Sequence, residues 1–189
     1  MGYGGDNKMD RSEITQFLSN LLETDRLSGP GKHWAKEVSI DPWGRLAKRV
    51  DYMQFSPADQ CSISGIEKGI FTCYEIKSCK EDVYSGNGLN FLGEKNYIVT
   101  TMQCYKDILP DIMGGVFSRY MYEKHPESSN YYGIMVAVPQ WSELTDEFDS
   151  PTPLDTDKQW KLATVNNCRQ GPRRRSMTEL LFYMLRSGK

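Results

Sequence analysis

Asp51 and, 24 positions further on, Glu75-Ile76-Lys77 are the residues of this chain whose types and spacing best suit chemistry. Glu75 and Lys77 stand two apart in Phe71-Thr72-Cys73-Tyr74-Glu75-Ile76-Lys77-Ser78, a run with the β-branched and aromatic content of a strand. Alternation sets them on one face, with Ile70, Thr72, Tyr74 and Ile76 on the other. Val50-Asp51-Tyr52-Met53 reads as an earlier strand, and a hairpin-length connection lays Asp51 beside that pair. Two carboxylates next to an ammonium suit a divalent cation and a phosphate, because hard cations take oxygen ligands and lysine answers phosphate charge. The plain alternative is a solvated strand face carrying a weak ion pair.

The elements that must position these residues are legible around them. Asp10 and Glu13 have capping-box spacing, and Ile14, Phe17, Leu18, Leu21 and Leu22 follow as the stripe of an amphipathic helix that ends at Ser28-Gly29-Pro30-Gly31. Strands are predicted over Trp34 to Ile40, Leu46 to Phe55, Asn96 to Thr101 and Tyr131 to Val138, with a last one over Trp160 to Asn166. Ser56 to Gly69 reads as a polar connection. Ser78 and Glu81 again have capping-box spacing, for a short helix that Gly86-Asn87-Gly88 interrupts as a mobile gap. One helical stripe is predicted through Ile112, Val116, Phe117, Tyr120 and Met121. Another runs through Met177, Leu180, Leu181, Met184 and Leu185, behind a capping box at Ser176 and Glu179. The order α-β-β-β-α-β-α-β-(β)-α predicts a mixed α/β domain, a central mixed β-sheet flanked by helices.

Composition sets the frame. At 189 residues, with 39% hydrophobic residues and a formal charge of −2, the chain reads as one domain over residues 10–189 behind a flexible tail at 1–9, with an acidic, Pro-rich loop insertion at 139–159. Near-neutral charge neither demands nor excludes nucleic acid, so any phosphate-binding surface is a local patch. Five cysteines without a C-x-x-C pair and without a signal peptide favour reduced thiols and a cytoplasmic location. A zinc site would have to recruit His33 or His125. No apolar run reaches the length of a membrane span.

The spacing of Asp51 from Glu75-Ile76-Lys77, with a helix before the first strand, resembles the PD-(D/E)XK nuclease superfamily, which has the restriction-endonuclease-like fold. Val50 stands where the family name has Pro. The run from Tyr74 to Val83, with Asn96-Tyr97 leading the next strand and an Arg-rich capped helix at the end, looks most like the MmcB-like DNA-repair branch. The resemblance covers most of residues 10–189, apart from Asp111 to Asn130 and the acidic loop.

The resemblance implies metal-dependent hydrolysis of phosphodiester bonds in DNA. Asp51 and Glu75, with the carbonyl of Ile76, would hold Mg²⁺, with Mn²⁺ as a substitute, and Lys77 would orient the attacking water or stabilise developing charge. Glu13 matches a position where several branches place a further acidic residue, and its capping-box role is the equal alternative. Asp82, in the first turn of the next helix, suits the positive helix end. Arg49, Lys80 and the run Arg173-Arg174-Arg175 are the candidates for DNA phosphates, with Arg45 and Lys48 near them, and Trp34, Trp43 and Tyr52 the candidates for stacking on bases. The rival reading is an inactive module of the same fold that binds nucleic acid or a protein partner. RNA stays open as a substrate, and a homodimer is compatible with a sequence in which no interface is legible.

Overall fold

The chain's computed structural model describes residues 9–41, 44, 47–59, 62–155 and 157–187. The tail expected over 1–9 lies outside them except for Met9, as do Trp43, Arg45 and Cys61. Helix α1 (Arg11–Leu22) starts at the expected capping box: Asp10 Oδ1 accepts from the Glu13 N–H at 2.9 Å and Glu13 Oε2 from the Asp10 N–H at 2.7 Å. It runs on through a wider π-type turn, Glu23–Leu27. Strands β1 (His33–Ile40) and β2 (Lys48–Ser56) follow, then β3 (Ile70–Lys77) and β4 (Lys95–Thr101). The polar connection between β2 and β3 holds a short helix, α2 (Ile63–Glu67), whose Ser62 cap accepts from the Gly65 N–H.

Four other expectations are corrected. Helix α3 (Lys80–Val83) does not use the Ser78–Glu81 capping box; Cys79 is its cap residue, and the Asp82 carboxylate instead accepts from the Ser78 N–H at 3.0 Å. The single stripe before β5 (Gly133–Pro139) divides into α4 (Met102–Met113) and α5 (Val116–Lys124), because Gly115 turns the chain at φ +76 and resets the helical phase. Phe117 and Met121 therefore face the core while Val116 is half exposed. The acidic loop contains α6 (Leu144–Asp149), where buried Glu147 accepts from the Thr152 N–H and hydroxyl. The chain closes with β6 (Trp160–Asn166) and α7 (Met177–Ser187). Leu180 and Met184 are buried on α7, but Leu185 is 75% exposed, since it falls on the far side of the helix from β1.

The six strands lie side by side in chain order. β1–β2, β2–β3 and β5–β6 are antiparallel, and β3–β4 and β4–β5 parallel. The parallel steps are the ones that carry helices across the sheet, as parallel connections require. α1 covers one face, against Tyr52, Tyr74, Ile76, Val99, Met135 and Ala137. α4 and α5 cover the other, against Ile98, Ile134, Val136 and Val138, and α7 packs beside them on β1 and β2. This is the mixed α/β architecture expected from the element order, a mixed sheet flanked by helices. Among the described residues no helix is long and apolar enough to cross a membrane.

Candidate functional site

β3 is the central strand of this stack, and every residue from Phe71 to Lys77 is buried. Its alternation holds: Tyr74 and Ile76 join the α1 cluster, and Phe71 and Cys73 join the α7 cluster on the side from which Glu75 and Lys77 project. That face is not solvated. Glu75 is 0% and Lys77 4% exposed, because the segment 84–94 crosses over them.

β2 and β3 pair from Ser56↔Ile70 to Tyr52↔Tyr74, and the ladder stops there. The next pair in register would be Asp51 and Glu75, and at this point the strands part. On the neighbouring strand β1, Glu37 adopts φ +52, and burial falls on Ala35 and Val38 rather than on alternate residues, so the edge of the sheet is bent at the same level. In the gap, Asp51 Oδ2 accepts from the Ile76 N–H at 2.8 Å, replacing the lost ladder partner. The N–H and carbonyl of one strand residue point to the same edge, so the Ile76 carbonyl also faces the gap. Asp51, Glu75 and Lys77 thus meet where the strands diverge, and they line a cleft of about 640 Å³ with Lys48, Arg49, Asp82, Asn90 and His125.

The roof of the cleft is specific. Glu75 Oε1 accepts from the Asn90 N–H at 3.0 Å, while Oε2, equally buried, has no partner among the described residues. Lys77 Nζ donates to the Asn87 carbonyl at 2.8 Å and lies 3.8 Å from Asp82 Oδ1. Gly88, at φ +72, passes so close that a Cβ there would stand 2.6 Å from Glu75 Oε2 and 3.0 Å from Lys77 Nζ. Asn90 ties this segment to β2 through its side chain, donating to the Arg49 carbonyl at 2.8 Å.

The electrostatics follow from burial. Desolvation, and then the neighbouring Asp51 charge, push the Glu75 carboxyl up to about 8 against the opposing pull of Lys77. Burial raises Asp51 as well, and the Ile76 N–H holds that rise in check. Two carboxyls that resist ionising together, one of them with an unpartnered oxygen, are what a bound cation would relieve. A carbonyl, two carboxylates and room for water are the donors a hard divalent ion takes. His33 opens edge strand β1 and is exposed, His125 is buried, and among the described residues no three His, Cys, Asp or Glu side chains gather as a metal cluster.

The other candidates divide. Arg49 lines the cleft and approaches Glu37 only at 3.8 Å. Glu13 does not reach it: its carboxylate closes the α1 capping box, and it borders a different depression. Lys80 is 2.8 Å from Asp111. Arg173 Nε donates to Glu94 Oε1 at 2.6 Å, with its guanidinium over Phe71, and Arg175 binds Asp41 at 2.7 Å and Glu179 at 3.3 Å. Arg174 is exposed beside the Ser128 carbonyl. Tyr52 is buried with its hydroxyl on Glu23 and its ring against Trp34, so it packs and is not presented to a base. Asn90 and Gly88 line the cleft without a place in the sequence reading, and His125, considered there only for zinc, lines it too. The signal for the first two was Gly86-Asn87-Gly88, a pattern that permits a close backbone approach as readily as a mobile gap. Comparison of the chain with known protein families, curated proteins and solved structures gives no match in any of the three.

Proposed function

We propose that this chain is a divalent-metal-dependent nuclease that hydrolyses phosphodiester bonds in DNA, with Asp51, Glu75 and Lys77 as its working residues. The observation that carries the reading is the buried, unpartnered Glu75 Oε2, held beside Asp51 where β2 and β3 part and next to the Lys77 ammonium. The order α1-β1-β2-α2-β3-α3-β4 around that triplet supports the resemblance to the PD-(D/E)XK superfamily, with short α2 as an addition between β2 and β3.

Asp51, Glu75 and the Ile76 carbonyl would hold Mg²⁺, with Mn²⁺ able to replace it. An ion held there would supply an acidified water and screen the phosphate charge. Glu75 gives up the proton that burial favours. Asp51 keeps its bond to the Ile76 N–H and so holds the gap open at a set width. Lys77, steadied by the Asn87 carbonyl and Asp82, presents its ammonium to the attacking water and to the charge growing on the phosphate oxygens. As the water oxygen bonds to phosphorus and the P–O bond to the leaving group breaks, the water's proton would pass to solvent and the leaving oxygen would take one up from solvent. The described cysteines Cys73, Cys79, Cys104 and Cys168 are unbridged thiols, which suits work in the cytoplasm.

The test is cleavage of labelled single-stranded, duplex and branched DNA in Mg²⁺, Mn²⁺ or EDTA, comparing wild type with Lys77→Ala and Asp51→Asn. Cutting that needs metal and falls by roughly 10²–10³ in both variants, with unchanged circular dichroism, is expected. No cutting by any form, together with no Mg²⁺ binding heat that Asp51→Asn abolishes, would overturn the reading.

A further inference from the structure

Opposite the carboxylates, the cleft has a second wall that the Asp51–Glu75–Lys77 pattern does not include. It is built by the end of α5 and the start of β2, and its centre is His125. The backbone there is fully engaged: the His125 N–H donates to the Met121 carbonyl and its carbonyl accepts from the Ser128 N–H, both at 2.9 Å. The ring stands edge-on to Tyr120 with centroids 5.6 Å apart and is only 7% exposed, yet Nε2 has no partner among the described residues. A buried ring nitrogen without a partner is costly unless something in the cleft meets it.

The charges around it say what that something is. Lys48 and Lys77 both act on the ring, and burial with these two ammoniums holds His125 below its ordinary range, so the imidazole is neutral near pH 7. Lys124, exposed beside it, has no ion-pair partner among the described residues, and Lys48 is shared with exposed Glu127 at 2.9 Å. A cation is repelled from this wall and belongs with Asp51 and Glu75. An anion with oxygen acceptors is drawn to it, and the Nε2–H tautomer of a neutral ring can donate to such an oxygen.

We propose that His125, flanked by Lys124 and Lys48, is a phosphate-contacting residue of this cleft, its Nε2 hydrogen-bonded to a backbone phosphate oxygen of a bound DNA strand. This rests on the nuclease reading and adds to it the wall that grips the substrate. The chain has two histidines, and His33 on the exposed edge strand is an internal reference. The experiment is a long-range ¹H–¹⁵N spectrum of the full chain labelled at histidine and at backbone amides, titrated in EDTA with a six-nucleotide thymidylate strand and, separately, with inorganic phosphate.

The expected result is a saturating shift of His125 Nε2 alongside the amides of Asn87 to Asn90, with His33 unmoved. Affinity should fall about five-fold in both His125→Gln and His125→Asn. In Lys124→Ala the salt dependence should lessen by about one ion. Strand binding that shifts the Asn87–Asn90 amides and leaves His125 Nε2 still would overturn the proposal and spare the nuclease reading. A response to inorganic phosphate alone would also overturn it, leaving a small-anion site. If the strand does not bind the cleft at all and the wild type also fails the cleavage test, both readings fall together.

Discussion

The cleft where β2 and β3 part and the segment leading into α7 are both dense in charge, and they dispose of it in opposite ways. Before α7, Arg173 and Arg175 turn inward and each finds a carboxylate, Glu94 and Asp41, with a carbonyl, an aromatic face or a second acid besides. Arg174, between them, stays exposed beside the Ser128 carbonyl. In the cleft, Glu75 Oε2 and His125 Nε2 are buried without partners among the described residues, and two carboxyls press on each other. A run of three arginines is the louder signal in the sequence, yet these bonds make it a clasp that pins the last helix to the sheet. Two of the buried polar atoms that lack partners among the described residues thus stand in the cleft, where a ligand could meet them, and none in the arginine segment.

Three substitutions would sharpen or break this contrast. The largest effect is expected from Glu75→Gln in the metal-free protein. Below the ordinary carboxyl value of 4.5, Glu75 is protonated in both folded and unfolded chains; between there and about 8 the unfolded chain releases the proton while the folded chain keeps it. Wild-type stability therefore falls as pH rises through that window and levels off above it. Against Glu75→Gln, which has no proton to lose, the deficit grows to at most about 5 kcal/mol. Urea titrations of both proteins from pH 4 to 9 in EDTA read it directly; parallel curves would mean that the cleft is not strained.

Arg173→Ala tests the other region. It strands the Glu94 carboxylate, which is buried and also accepts from the Phe71 N–H, and should cost about 3 kcal/mol of unfolding free energy. The salt dependence of DNA binding should not change. A loss of affinity with little loss of stability would make the arginine run a DNA contact after all.

Gly88→Ala is the smallest of the three. Its left-handed backbone alone costs about 1–2 kcal/mol in any residue with a Cβ. Because that Cβ would press on Glu75 Oε2 and Lys77 Nζ, the heat of Mg²⁺ binding should fall with the stability. Unfolding and calorimetry on the same sample measure both, and unchanged metal binding would show that the roof is not part of the site.

Much of this was legible beforehand. The order of the strands, the α1 capping box and the convergence of Asp51 with Glu75 and Lys77 follow from periodicity and short-range spacing, which local backbone preferences obey. What escaped notice was non-local or conditional. Glu13 was open between two uses, and the reciprocal cap it makes with Asp10 took precedence because both partners are already in one turn. The acidic loop hid a helix because Glu147 is buried by bonds to Thr152 rather than by an apolar stripe. Leu185 fits a helical stripe, but α7 has only one face against the sheet, and Leu185 misses it.

By itself the sequence determined a mixed α/β chain in this order and a strand carrying Glu75 and Lys77, because side-chain periodicity and β-propensity are properties of neighbours along the chain. Only the tertiary structure decided that this strand would be central and the pair buried, and that Gly88 and Asn90 would close over it. It also brought His125, 50 positions from Glu75, to line the same cleft, and sent Arg173 and Arg175 to the carboxylates of Glu94 and Asp41. The reason is physical: a charge near a strand or helix end takes whichever partner the packed sheet brings within reach, and that geometry is set by contacts between residues far apart in the chain.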